Sequence, residues 1–126
     1  MVDGGVRQLR EPAVRAVESA ADATVVRLRG ELDLHNAGEV RDALASVAAS
    51  SPRRVVVDLE EVDFVDSTAL GVFVEARAAL KGKAAFVLAA PGPETRRALE
   101  VSGLARVLDI RETVDEARSA RPGGGT

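Results

Sequence analysis

Residues 55–71 read VVVDLEEVDFVDSTALG, and this stretch confines the chain to a small set of folds. Three consecutive valines, Val55-Val56-Val57, lead into Asp58-Leu59 without polar alternation. A strand of that kind is buried on both faces, as happens inside a parallel sheet covered by helices. A second short apolar piece, Phe64-Val65, delivers the chain into Asp66-Ser67-Thr68. Beyond it Ala69, Val72, Phe73, Ala76 and Leu80 recur on one helical face. A strand therefore hands a hydroxyl to the first turn of a helix, where unpaired N–H groups and the positive dipole end favour an anion. Such a site holds a phosphoserine without strain.

Composition narrows the function. The 126 residues suit one domain, and 46% are hydrophobic, ample for a core. With three Phe and no Trp or Tyr, that core must be built of Val, Leu and Ala. Tightly packed layers fit such residues better than an aromatic-walled ligand pocket does. A net charge of −3 argues against a nucleic-acid partner. The absence of cysteine removes disulfides and thiolate metal sites. No apolar run approaches the roughly 18 residues of a membrane span, and the first residues lack a signal peptide's apolar core. The expectation is a cytoplasmic protein with no membrane partner.

Along the chain, residues 1–12 read as a flexible N-terminus and residues 121–126 as a disordered tail. Residues 13–19 alternate as an edge strand, and residues 24–32 form a second strand antiparallel to it. Asn36 reads as the cap of the next helix, with Glu39 as its capping-box partner and Val40, Ala43, Leu44 and Val47 as the buried stripe. Ser51-Pro52 stops that helix. Residues 54–59 form the central strand, and Glu60, Glu61 and Asp63 a solvated acidic loop after it. The helix opened at Ser67 closes with Gly82 as C′ residue, and residues 84–89 are a buried strand. Pro93 starts a third helix that ends in a Schellman cap at Gly103-Leu104. Residues 107–110 are a short strand, and Thr113 with Glu116 boxes a last short helix. The expected fold is a single α/β domain, a mixed β-sheet flanked by helices in the order β-β-α-β-α-β-α-β-α.

Three ordered motifs resemble the STAS domain, in particular the bacterial anti-sigma factor antagonists. They are Gly30-Glu31-Leu32-Asp33 with His35-Asn36-Ala37, then Asp66-Ser67-Thr68-Ala69-Leu70-Gly71, then the stretch from Leu99 through Gly103-Leu104. The likeness covers residues 13–120. Ala69 stands where the family's serine motif usually has glycine, a small-for-small change that bears only on the fine backbone geometry of the turn. The resemblance implies that Ser67 is phosphorylated by an anti-sigma factor that is itself an ATP-dependent serine kinase. It implies that the unphosphorylated protein binds this kinase and frees the sigma factor, and that a metal-dependent serine phosphatase resets the switch. It also implies a partner surface of Glu31, Asp33, His35, Asn36, Asp66, Ser67, Thr68, Leu70 and Gly71. The same fold serves as an accessory subunit of lipid-transport ATPases and as a component of stress-signalling scaffolds, and these remain alternatives. A monomer or weak dimer is expected.

Other chemistry finds little support in the residues. At a helix start Asp66 or Ser67 reads first as an N-cap, a role compatible with phosphorylation. Thr68 reads as a plain first-turn residue. A serine hydrolase would need a base beside the nucleophile, and the chain has one histidine, His35, and no G-x-S-x-G elbow. No phosphate-binding glycine loop occurs, and nothing organises the acidic residues as a Mg²⁺ site. The expectation is a non-enzymatic module without cofactor or metal. Arg96, Arg97, Arg106 and Arg111 read as a solvated basic face.

Overall fold

The computed structural model describes residues 11–119. The first ten residues and all of the proposed tail, expected to be flexible and disordered, fall outside the described residues. Five strands form one sheet in the order β1-β2-β3-β4-β5: Val14–Ser19, Thr24–Leu32, Arg54–Val65, Ala85–Ala89 and Asp109–Arg111. β1 runs antiparallel to β2, and every other neighbouring pair is parallel. The helices are α1 (Ala37–Ala49), α2 (Ser67–Leu80), α3 (Pro93–Val101) and α4 (Val114–Ser119), with a 3₁₀ turn at Leu104–Arg106. The element order matches the one expected from the sequence, apart from that turn. The last strand is displaced to Asp109–Arg111, because Val107 still belongs to the end of the 3₁₀ turn.

The valine run is buried on both faces, as its composition demands. Val55 and Val57 join the larger core with Val40, Leu44, Val47, Val72, Phe73, Leu80 and Leu99, contributed by α1, α2 and α3. Val56 faces the other way and packs with Val25, Val87 and Ala117 of α4. Three helices thus cover one face, and the short α4 covers part of the other. Beyond α4 that second face is polar. There Arg27 Nη1 donates to Asp58 Oδ2 at 2.6 Å and Arg27 also pairs with Glu18 at 3.0 Å. These two carboxylates hold the Arg27 guanidinium above its already high pKa.

The expected acidic loop after Leu59 does not exist; β3 runs unbroken to Val65. It carries two bulges instead. Between the pairs Arg27–Asp58 and Arg29–Glu61, one residue of β2 faces two of β3. Between Gly30–Val62 and Glu31–Phe64, β3 carries one extra residue, Asp63. Core-facing positions therefore step from 55, 57 and 59 to 62 and 65, so a spacing of two becomes three. The bulges hide the strand from a reading by alternation and re-aim the residues between them, so that Val62 takes a core place. Gly30, at φ +75°, takes the left-handed backbone that β2 needs beside the second bulge.

Two of the anticipated caps form as expected: Gly82 (φ +79°) ends α2, and Pro93 opens α3. At Gly103 (φ +82°) the N–H reaches Glu100 O, as in a Schellman end, but Leu104 N–H donates to Ser102 Oγ in place of a helix carbonyl. In the last helix Glu116 N–H donates to Thr113 Oγ1, while the Glu116 carboxylate accepts from Glu112 N–H in place of Thr113 N–H.

Candidate functional site

The ends of β2 and β3 lie side by side. Leu32 is in register with Val65, and Asp66 N–H donates to Leu32 O at 3.0 Å. The loop after β2 and the first turn of α2 are thereby brought together, although some thirty residues separate them in the chain. Both lie at the carboxyl ends of parallel strands, where open α/β sheets place their binding crevices.

At the α2 start, Asp66 and Ser67 divide the two roles that the sequence left joined. Asp66, in extended backbone, is the N-cap: its Oδ1 accepts from Ala69 N–H at 3.0 Å and its carbonyl from Leu70 N–H at 3.0 Å. Ser67 is the first helical residue and is exposed. Its hydroxyl makes no hydrogen bond among the described residues, so it is free of the capping duty. The first-turn N–H groups of Ser67 and Thr68 likewise keep no protein partner there, and they give an anion a place to bind. Thr68 is half-buried. Leu70 is 7% exposed and belongs to the core, so of the anticipated surface residues it alone turns its side chain inward. Its burial anchors the first turn of α2, with Gly71 half-buried behind it.

The loop after β2 is stapled by its own side chains. Asn36 Oδ1 accepts from Asp33 N–H at 2.8 Å, and Asn36 Nδ2 donates to Glu31 O at 2.8 Å. Asp33 Oδ1 accepts from His35 N–H at 2.9 Å. The expected capping box of Asn36 with Glu39 is therefore absent. Asn36 spends its amide on the loop, and the Glu39 carboxylate accepts from the N–H groups of Ala13 and Val14 at 3.2 and 2.8 Å. That carboxylate ties α1 to the edge strand. Glu31 is exposed, and the imidazole of His35 is 78% exposed with Nδ1 3.8 Å from Asp33 Oδ1. His35 makes no hydrogen bond to Ser67.

The basic face read from the sequence is largely self-satisfied. Arg96 holds both Glu112 oxygens at 3.0 Å, and Arg111 holds Asp109 at 2.8 Å. Among the described residues no group of three or more His, Asp or Glu is arranged to hold a metal, and no helix is long and apolar enough to cross a membrane. Sequence reasoning passed over Phe64 and Leu34, which flank this site and are 48% and 69% exposed. The available signal was a phenylalanine two positions before Asp66.

Comparison with known proteins identifies the architecture. The STAS domain family model matches residues 12–117. The chain belongs to the STAS domain family, on its anti-sigma factor antagonist side. An anti-sigma-B factor antagonist of Listeria monocytogenes is 30% identical over 105 residues, covering 82% of this chain and 92% of the relative. A crystal structure of an anti-sigma factor antagonist from Mycobacterium paratuberculosis superposes with a TM-score of 0.76 at 32% identity, over 81% of this chain and 87% of that one. The anti-sigma factor antagonist SpoIIAA is similar in its unphosphorylated form, with TM-score 0.67, 27% identity and 81% and 90% coverage. Its phosphorylated form is similar too, with TM-score 0.63, 25% identity and 81% and 94% coverage.

Proposed function

We propose that this protein is an anti-sigma factor antagonist whose activity is set by phosphorylation of Ser67. Unphosphorylated, it binds an anti-sigma factor that is an ATP-dependent serine kinase, and the sigma factor is freed. Phosphorylation at Ser67 breaks the complex, and a metal-dependent serine phosphatase restores it. The protein acts by binding, in the cytoplasm, as a monomer or weak dimer, and performs no chemistry itself. The observation that carries this reading is the division of labour at the α2 start. Asp66 caps the helix, and Ser67 is left exposed with an uncommitted hydroxyl beside the Asp33-to-Asn36 loop. The relatives named as antagonists, and a neighbour solved with and without phosphate, support it.

The physics of the switch is local. A phosphate adds about −1.5 to −2 charge. Within the domain the first turn of α2 accommodates it, but inside an interface it must be desolvated beside Asp66 and Asp33. A thousandfold loss of affinity corresponds to about 4 kcal/mol, which like-charge juxtaposition and desolvation at an interface supply. Incubation with the cognate kinase and ATP, followed by peptide mass spectrometry, should place the phosphate on Ser67. Ser67→Ala should bind the kinase and resist release by ATP, and Ser67→Asp should bind more weakly. Phosphate found mainly on Thr68, or equal affinity of the two variants, would overturn the proposal.

A further inference from the structure

The second bulge of β3, after Val62, decides which way Phe64 faces. The first bulge turns Val62 to the core face; without the second, Phe64 would follow it there, and with the second Val65 takes the inward place and Phe64 turns outward beside Glu31. The other two phenylalanines, Phe73 and Phe86, are 0% and 7% exposed. Phe64, at 48%, is thus the one phenylalanine that stands open to solvent. It lies three residues before Ser67, within about 10 Å of extended chain. Leu34, at 69%, stands on the turn two residues past Leu32, whose partner is Val65. Two bulky apolar side chains therefore flank the exposed hydroxyl from two separate strand ends.

Their surroundings are acidic. Glu31, Glu60 and Asp63 are exposed and make no ion pair among the described residues. The nearby cations are already engaged, Arg15 with Glu61 at 3.5 Å and Arg29 with Glu11 at 2.9 Å. An exposed aromatic set in an unbalanced acidic rim is a surface that a partner completes, with the apolar group as anchor and the charges as steering. We infer that Phe64 and Leu34 are the apolar anchors of the complex with the anti-sigma factor kinase, seated in an apolar cleft of that protein with a rim of Arg or Lys. This inference rests on the function proposed above and deepens it. The anchors hold Ser67 at the kinase's phosphoryl donor, so one contact serves both binding and modification. A second copy of this chain would bring the same acidic rim and be repelled, which favours the basic-rimmed partner.

The test uses the full chain and the kinase that modifies Ser67, with affinity measured by titration calorimetry without ATP. Phe64→Ser and Leu34→Ser should each weaken binding by about tenfold or more, and the pair by about a hundredfold. Val101→Ser, at a site 79% exposed on the C-terminal end of α3, should bind as the wild type does. Wild-type affinity should also fall as salt is raised. Leu34→Ser lies on a surface turn outside any strand, so it carries the test if Phe64→Ser lowers the melting temperature. Unchanged affinity for both variants, with the wild type binding well, overturns this inference alone. A wild-type chain that dimerises in sedimentation equilibrium, and becomes monomeric as Phe64→Ser, overturns it in favour of a second copy. A wild-type chain that binds no such kinase overturns the proposed function and this inference together.

Discussion

Phosphorylation of Ser67 should leave the folded domain almost as stable as before, and the balance follows from the α2 start. Two terms favour the modified form: the dipole of a fourteen-residue helix and the unpartnered N–H groups of Ser67 and Thr68. A negative group in that position gains about 0.3–1 kcal/mol. One term opposes it, because the Asp66 carboxylate is committed to Ala69 N–H and cannot swing away. A dianion and a carboxylate roughly 7 Å apart in water repel by about 1 kcal/mol, and by about half of that at physiological salt. The two effects cancel to within about 1 kcal/mol, which moves the melting temperature of a domain this size by no more than about 5 °C. Calorimetry on the phosphorylated and unmodified protein measures it, and amide NMR locates it. Shifts should gather at residues 33–37 and 66–71. A melting temperature lowered by about 10 °C or more, or shifts spread to Val25, Val56 and Val87 under α4, would show that the switch works by refolding and would refute the charge argument.

Two further outcomes test the supports of the site. Asp66→Ala removes the cap and should cost about 1 kcal/mol, while Asp66→Asn should cost much less; faster hydrogen exchange at Ala69 and Leu70 in the alanine variant alone would verify it, and equal exchange in both would refute it. Arg27→Ala leaves the Asp58 carboxylate, 7% exposed, without its guanidinium. Because Arg27 itself is 24% exposed, the loss should be about 2–3 kcal/mol, below the range for a fully buried pair. Urea unfolding reads it, and the double variant Arg27→Met/Asp58→Leu should recover part of it; a neutral single variant would refute the pairing. Glu18, held below the usual carboxylate range chiefly by its hydrogen bond to Arg27, should return to that range in Arg27→Ala.

What the sequence determined by itself was everything that depends on near neighbours. The unbroken valines at 55–57 required burial on both faces, and Val56 duly parts from Val55 and Val57 across the sheet. Helical spacing placed α1 and α2, Ser51-Pro52 marked the end of the first and glycine the ends of α2 and α3, and the position of Ser67 at the head of a helix was legible from the residues around it. Three matters were decided only by the tertiary structure, because each turns on which groups from distant segments compete for one bond. Whether Asn36 caps its helix depended on Glu31 and Asp33 offering it a loop to staple, and Glu39 was drawn away by the edge strand's N–H groups twenty-five residues back. The acidic residues after Leu59 became strand because β2 supplied a parallel partner, and its register forced the two bulges. The first bulge turned Val62 inward, and the second kept Phe64 from following it. Periodicity records the face a residue prefers, whereas pairing between strands thirty residues apart decides the face it receives.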